Sequence, residues 1–241
     1  MSEHGPSELV YGRNPVRELI AAGRRPIYEI SALKNLSGDD WLQGRPQVRF
    51  VGKEELARIA KTGDHQGIVA KVGPYPYVTQ HDLLHSGNAV FCLDGAQDPR
   101  NIGAIARSID AAGLAGIALP ERGSPGVTAV VSKASAGAIE HLAVARVENP
   151  VAFIHDAAER GRLIVGADQG EGVDYREVEW TRDVVVVLGA EGAGLRPKIR
   201  RSLEHVVSIP MRGKVSSLNV SVAAALIAFE IARATAPEFT T

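Results

Sequence analysis

The chain is poor in cysteine, in aromatic residues and in net charge, and each shortage excludes something. A single cysteine, Cys92, among 241 residues leaves no internal disulfide framework and no multi-thiolate metal site. Aromatics make up only 5% of the chain, so the core has to be built from Ala, Val, Ile and Leu. A formal charge of −1 excludes a surface coated in positive charge, but not a local basic cluster. No apolar run reaches the roughly 18–20 residues of a membrane span. The opening MSEHGPSELVYG lacks the basic and apolar regions of a signal peptide. A soluble, cytoplasmic protein is the expectation. What is present is ordinary globular composition, 45% hydrophobic and 23% charged, which excludes disorder throughout, a collagen-like repeat and a coiled coil. The length suits one large domain or two modest ones, and the 25 glycines imply many tight turns.

Residues 9–73 read as a small α/β unit. Ile27–Ile30, Val48–Val51 and Ile68–Val72 have the composition of strands, and Asn14–Ala22 and Lys53–Ala60 repeat apolar residues at helical spacing. GPYPYVTQHDLLHSGN, residues 73–88, carries two prolines and two glycines and reads as a linker. The expected organisation is an N-terminal unit over 1–75, a linker over 76–87 and a second domain over 88–241. In that second domain, Ala89–Leu93, Gly116–Leu119, Leu163–Ala167, Val184–Leu188 and Val206–Ile209 are short β-branched runs. Helical patterns between most of them, notably Ile102–Ala112 and Val151–Arg160, imply a parallel sheet covered on both faces. The last helix, roughly Leu218–Ala234, is apolar on nearly all sides, which calls for burial by its own domain and by a partner subunit.

Three segments could carry chemistry. In LDGAQDPRNIGAIARSIDAAGL (93–114) a strand runs through a polar turn into a helix starting near Asn101. Asn101 could cap that helix, and Arg107 could be a ligand contact or simply a solvated arginine. In VVVVLGAEGAGLRPKIRR (184–201) a buried strand enters a loop with Gly189, Gly192 and Gly194. The G-x-x-G-x-G spacing matches neither the dinucleotide fingerprint nor a P-loop. A plain turn explains the glycines, but Glu191 is placed to meet ligand hydroxyls or amines. The cations Arg196, Lys198, Arg200 and Arg201 are either a solvated face or phosphate contacts. In VSIPMRGKVSSLNVSVAAALIAFE (207–230), Ser216, Ser217 and Asn219 crowd the start of the last helix, with Arg212 and Lys214 nearby. All three segments follow strands, at the edge where open α/β sheets bind ligands.

N-x-G-x-x-x-R at Asn101–Arg107, L-G-x-E-x-x-G at Leu188–Gly194 and I-P-M-x-G-x-x-x-S-L-N-V-S at Ile209–Ser221 together resemble the SpoU family of SPOUT RNA ribose 2'-O-methyltransferases. YGRNPVRELI near the start and HQGIVAKV at 65–72 are similar to the L30e-like RNA-binding domain of members that methylate a guanosine of 23S rRNA. The resemblance implies an α/β fold whose C-terminal sheet is threaded into a trefoil knot, where sequence rules alone lead to an unknotted doubly wound sheet. It implies an S-adenosylmethionine site touched by Gly189, Ile209 and Leu218, with Leu188, Glu191, Gly192, Met211 and Asn219 close by. It also implies a homodimer in which the motif-one arginine, Arg107, reaches the cofactor site of the other subunit. Asn101, Arg107, Glu191, Ser217 and Asn219 are the catalytic candidates by motif position. No metal is expected, since the seven histidines form no ligand pair. Arg13, Arg17, Arg24 and Arg25 form a basic string suited to an RNA backbone or to ordinary surface charge, and Arg196, Lys198 and Arg212 are the RNA-contact candidates of the second domain. A transfer RNA substrate, or a non-catalytic assembly factor with the same fold, are the alternatives.

Overall fold

A four-stranded mixed sheet and a seven-stranded parallel sheet organise the chain. The structure, a computed structural model, describes residues 6–169, 172–190 and 194–236.

The first unit comprises β1 (Glu8–Tyr11), α1 (Arg13–Ala22), β2 (Ile27–Leu33), β3 (Val48–Val51), α2 (Lys53–Ala60) and β4 (Ile68–Val72), in sheet order β1-β4-β2-β3. Alternation along β4 sends Ile68, Ala70 and Val72 into one apolar cluster with α1 and Val69 into another with α2. The segment expected as a linker is bound to the second domain instead. It holds α3 (Gln80–Leu84), capped by Thr79, and Val78 donates its amide to Val144 O at 2.9 Å. The two prolines and two glycines of 73–88 do not prevent this, because the edge of the large sheet offers free backbone groups to pair with.

The second unit comprises β5 (Val90–Leu93), α4 (Pro99–Ala111), β6 (Gly116–Pro120), α5 (Ala129–Ala134), β7 (Ala143–Val147), α6 (Pro150–Glu159), β8 (Leu163–Ala167), β9 (Val173–Asp174), β10 (Val184–Leu188), α7 (Pro197–Arg200), β11 (His205–Ser208) and α8 (Val220–Ala234). Its sheet order is β7-β6-β5-β10-β8-β11-β9. β10 shows why the run is apolar throughout: Val184, Val186 and Leu188 enter the core under α4 and α8, while Val185 and Val187 enter the core under α6 and α7. β8 lies between β10 and β11 although it precedes both, so the connection from β10 to β11 passes β8.

Two boundaries differ from the sequence reading. The cap of α4 is Asp98, whose Oδ1 accepts from the Arg100 amide at 2.8 Å, so Asn101 is a helical residue and not the cap. Asp98-Pro99 is a stronger start than Asn101, because proline suits the first turn, where its missing N–H costs nothing. Likewise α8 begins at Val220, capped by Asn219.

The two units meet through ions. Arg25, with its side chain 2% exposed, pairs with buried Glu140 at 2.5 Å and with Glu8 at 2.9 Å. Arg24 donates to the carbonyls of Leu142 at 2.6 Å and Glu140 at 3.1 Å. The expectation that Arg24 and Arg25 face RNA is therefore corrected: both are turned into the seam, where the Glu140 carboxylate and the carbonyls of Glu140 and Leu142, more than a hundred residues away, hold them together with Glu8.

Candidate active site

The sheet's C-terminal edge gathers all three motif loops. A cavity of about 300 Å³ opens there, with walls from the ends of β8, β10 and β11 and from the start of α8. Leu188, Gly189, Ile209, Met211, Leu218 and Asn219 all line it, as does Ser217. Glu191 and Gly192 lie outside the described residues. A second cavity of about 450 Å³ adjoins it, sharing Gly189, Ala190 and Val220 and adding Asn101 and residues 95–98.

Backbone sets this geometry. Ala190 and Gly194 exchange amide–carbonyl bonds at 3.1 and 3.0 Å, which pinches the loop after β10. A Cβ on Gly189 would stand 2.3 Å from the carbonyl carbon and oxygen of Gly194, so only glycine fits. Gly103 of the first motif has a packing role: a Cβ there would stand 2.5 Å from Ala134 Cβ and 2.8 Å from Val131 O, so glycine lets α4 and α5 touch.

Side chains then join the motifs. Asn219 Nδ2 donates to Asn101 Oδ1 at 3.3 Å, tying the first motif to the third, while Asn219 Oδ1 accepts from the Ser221 amide at 2.8 Å. Buried Asp94 receives both arms of the Arg196 guanidinium, with Nε at 2.7 Å, tying the segment of the first motif to the segment of the second. Arg196 was expected as an RNA contact; its fork is committed to Asp94, a bidentate pair of the strong kind. Lys198 and Arg212 are exposed. Arg13 pairs with Asp39 at 2.6 Å, and Arg17 is exposed.

Arg107 stands apart. It lies about 9 Å farther along α4 than Asn101. It is exposed, lines neither cavity and makes no side-chain hydrogen bond or ion pair among the described residues. Cys92 offers no nucleophile, because complete burial pushes its thiol up to about 12. Among the described residues no group of three or more His, Cys, Asp or Glu side chains is placed to hold a metal, and no helix is long and apolar enough to cross a membrane.

Sequence reasoning missed Asp168 and Gln169, which line the first cavity just beyond β8. Asp168 is bound by Arg200, and its amide donates to Val207 O at 3.0 Å. The available signal was the rule already applied elsewhere: a carboxylate following a strand of an open parallel sheet faces the ligand edge. Asp94, following β5, carried the same signal.

Residues 88–229 match the SpoU rRNA Methylase family, and residues 9–78 match the RNA 2'-O ribose methyltransferase substrate binding family. YacO of Bacillus subtilis, named as a TrmH family tRNA/rRNA methyltransferase, is 34% identical, with 94% of this chain and 95% of the relative covered. The AdoMet-bound rRNA methyltransferase of Sinorhizobium meliloti superposes with a TM-score of 0.78 at 26% identity, covering 94% of this chain and 87% of that one. The TrmH/SpoU tRNA modifying enzyme of A. aeolicus covers 64% of this chain and 80% of its own, with a TM-score of 0.56 at 29% identity.

Proposed function

The chain belongs to the SpoU rRNA methylase family, and on that premise we propose that it is an S-adenosylmethionine-dependent RNA ribose 2'-O-methyltransferase, a homodimer that modifies a guanosine of 23S rRNA. The observation that carries this reading is the convergence of the second and third motifs on one cavity, with Asn101 of the first motif lining the adjoining cavity and bonded to Asn219. The match of the first unit to a 2'-O ribose substrate-binding family supports the ribose oxygen as acceptor. The S. meliloti rRNA enzyme is matched over nearly the whole chain, the A. aeolicus tRNA enzyme over 64% of it, which favours rRNA.

The residues present suit the cofactor. Leu188, Val207, Ile209, Met211 and Leu218 offer apolar walls for a purine, and Asp168, Gln169, Ser216 and Ser217 offer polar groups for hydroxyls and an amino-acid end. When bound, S-adenosylmethionine supplies an electrophilic methyl group. The chain's own work is to hold the ribose in line and to manage charge on its 2'-oxygen, and positioning supplies much of such a rate. Arg107 is the residue for the charge. A guanidinium with a pKa above about 12 is no general base. Its free fork instead grips the adjacent phosphate and stabilises the developing oxyanion, while the proton leaves through that phosphate or water. Asn101, Ser217 and Asn219 orient the nucleotide and brace the loops, and Glu191 joins them by motif position. Because Arg107 lines neither cavity of its own chain, it serves the cofactor site of the partner in the dimer. Val222, Leu226 and Phe229 form an exposed stripe on α8 suited to that contact.

Radiolabelled S-adenosylmethionine with unmodified large-subunit rRNA and, separately, bulk unmodified tRNA tests the reading. Label in rRNA alone, with one guanosine resistant to alkaline cleavage, is the expected result. Label in tRNA alone overturns the substrate, and label in neither, despite cofactor binding, points to an assembled-particle substrate or to the assembly-factor alternative. Near-normal turnover by Arg107→Lys would exclude the two-armed grip.

A further inference from the structure

Lys133 and Arg100 both belong to the second unit and border its seam with the first, and nothing described above uses them. Lys133, in the last turn of α5, brings its Nζ over the β1–α1 turn, 2.7 Å from where a Cβ on Gly12 would stand, with the Gln66 side-chain oxygen at 3.1 Å from the same point. Arg100, in the first turn of α4, lies close enough to Tyr11 to act on its hydroxyl, as does Asp64. Neither cation is within ion-pair distance of a carboxylate, and neither side chain makes a hydrogen bond, among the described residues. Partial burial holds the Lys133 ammonium below the usual lysine range, against the pull of Asp64. A partly desolvated ammonium without a carboxylate in ion-pair contact is costly, and an anion from outside would offset that cost.

The direction of the seam says which anion. Arg100 and Arg107 are seven residues apart on one helix, so they lie on the same stripe of α4, about 10 Å apart along its axis. One stripe of α4 thus leads from Arg100, beside the small unit, to the arginine assigned above to the reacting phosphate. We propose that Lys133 and Arg100 bind consecutive backbone phosphates of the RNA and lead the strand from the N-terminal unit to Arg107 of the same chain. This rests on the RNA-methylating reading above. Phosphate contacts of this kind position the strand and carry no base preference.

The test is filter binding of the full-length protein to transcribed large-subunit rRNA and to a tRNA transcript over a range of salt, with S-adenosylhomocysteine binding measured by calorimetry. Each lost phosphate contact is expected to weaken binding roughly tenfold, so Arg100→Gln/Lys133→Gln should bind both RNAs roughly a hundredfold more weakly. The slope of log affinity against log salt should fall by about 2, with S-adenosylhomocysteine affinity unchanged. Arg100→Lys/Lys133→Arg, which keeps both charges, should keep the slope. If the double variant is unstable, Arg100→Gln alone, at an exposed position, is expected to give the tenfold loss. Unchanged RNA affinity and slope in these variants overturns this site and leaves the function standing. A tenfold change confined to one RNA also overturns it, since that would be base reading. A wild-type chain that binds no RNA overturns both.

Discussion

The catalytic domain turns two faces away from its cavity, and the chain treats them in opposite ways. Against the small unit it sets charges: Arg25 is 2% exposed at its side chain and is held by Glu140 and Glu8. On the outer side of α8 it leaves Val222, Leu226 and Phe229 at 46%, 37% and 52% exposure. A buried guanidinium is tolerable only where its partners are already placed, so the seam is an interface made within one chain. An apolar stripe needs no preset partner, and it becomes stable when another surface covers it. The first interface is therefore insensitive to protein concentration, whereas the second, if the proposed dimer forms there, depends on it.

Four substitutions would break or sharpen this contrast. Glu140→Ala leaves Arg25 buried with only the partly exposed Glu8, and is expected to cost about 3–5 kcal/mol in denaturant unfolding. A loss below about 1 kcal/mol, the range of a surface pair, would show that the seam is not held by that ion pair. Phe229→Glu should weaken dimerisation by about 2 kcal/mol, roughly thirtyfold, read by sedimentation equilibrium, with unfolding of the monomer little changed. If the unsubstituted chain already sediments as a monomer, the α8 half of the comparison falls. Asn219→Ala removes the α8 cap and the bond to Asn101, at about 1 kcal/mol of stability. S-adenosylhomocysteine affinity should drop with it, and intact affinity would show that the Asn219–Asn101 bond does not support the cavity. Arg13→Ala is the control for the seam. Its pair with Asp39 is solvated, with the arginine side chain 49% exposed, so thermal unfolding should register no more than about 0.5 kcal/mol.

Much of the site could be read in advance because its elements are local. The apolar run at 184–188 and the glycine loop after it identify a strand end and a close backbone approach from a few residues alone. The three motifs, each following a strand, locate the ligand edge before any packing is known. Other features were out of reach. α5 and β7 were not separated by pattern, because AVVSKASAGAIEHLAVARV is small and apolar with neither period clear. Asn101 was read as a cap because capping is what asparagine does next to a helix start. Its bond to Asn219, 118 residues away, is invisible to any local rule.

The amino-acid sequence by itself determined most of the strands and helices, those with a clear period, since periodicity acts within a few residues. It also determined membership of the family, through residues spaced along the chain. Only the tertiary structure decided which charges are spent and which are free. Arg25 reaches Glu140 115 residues along the chain, Arg196 reaches Asp94 at a separation of 102, and Arg107 reaches no side-chain partner among the described residues. A guanidinium's role depends on what lies within about 3 Å of it, and folding alone determines that.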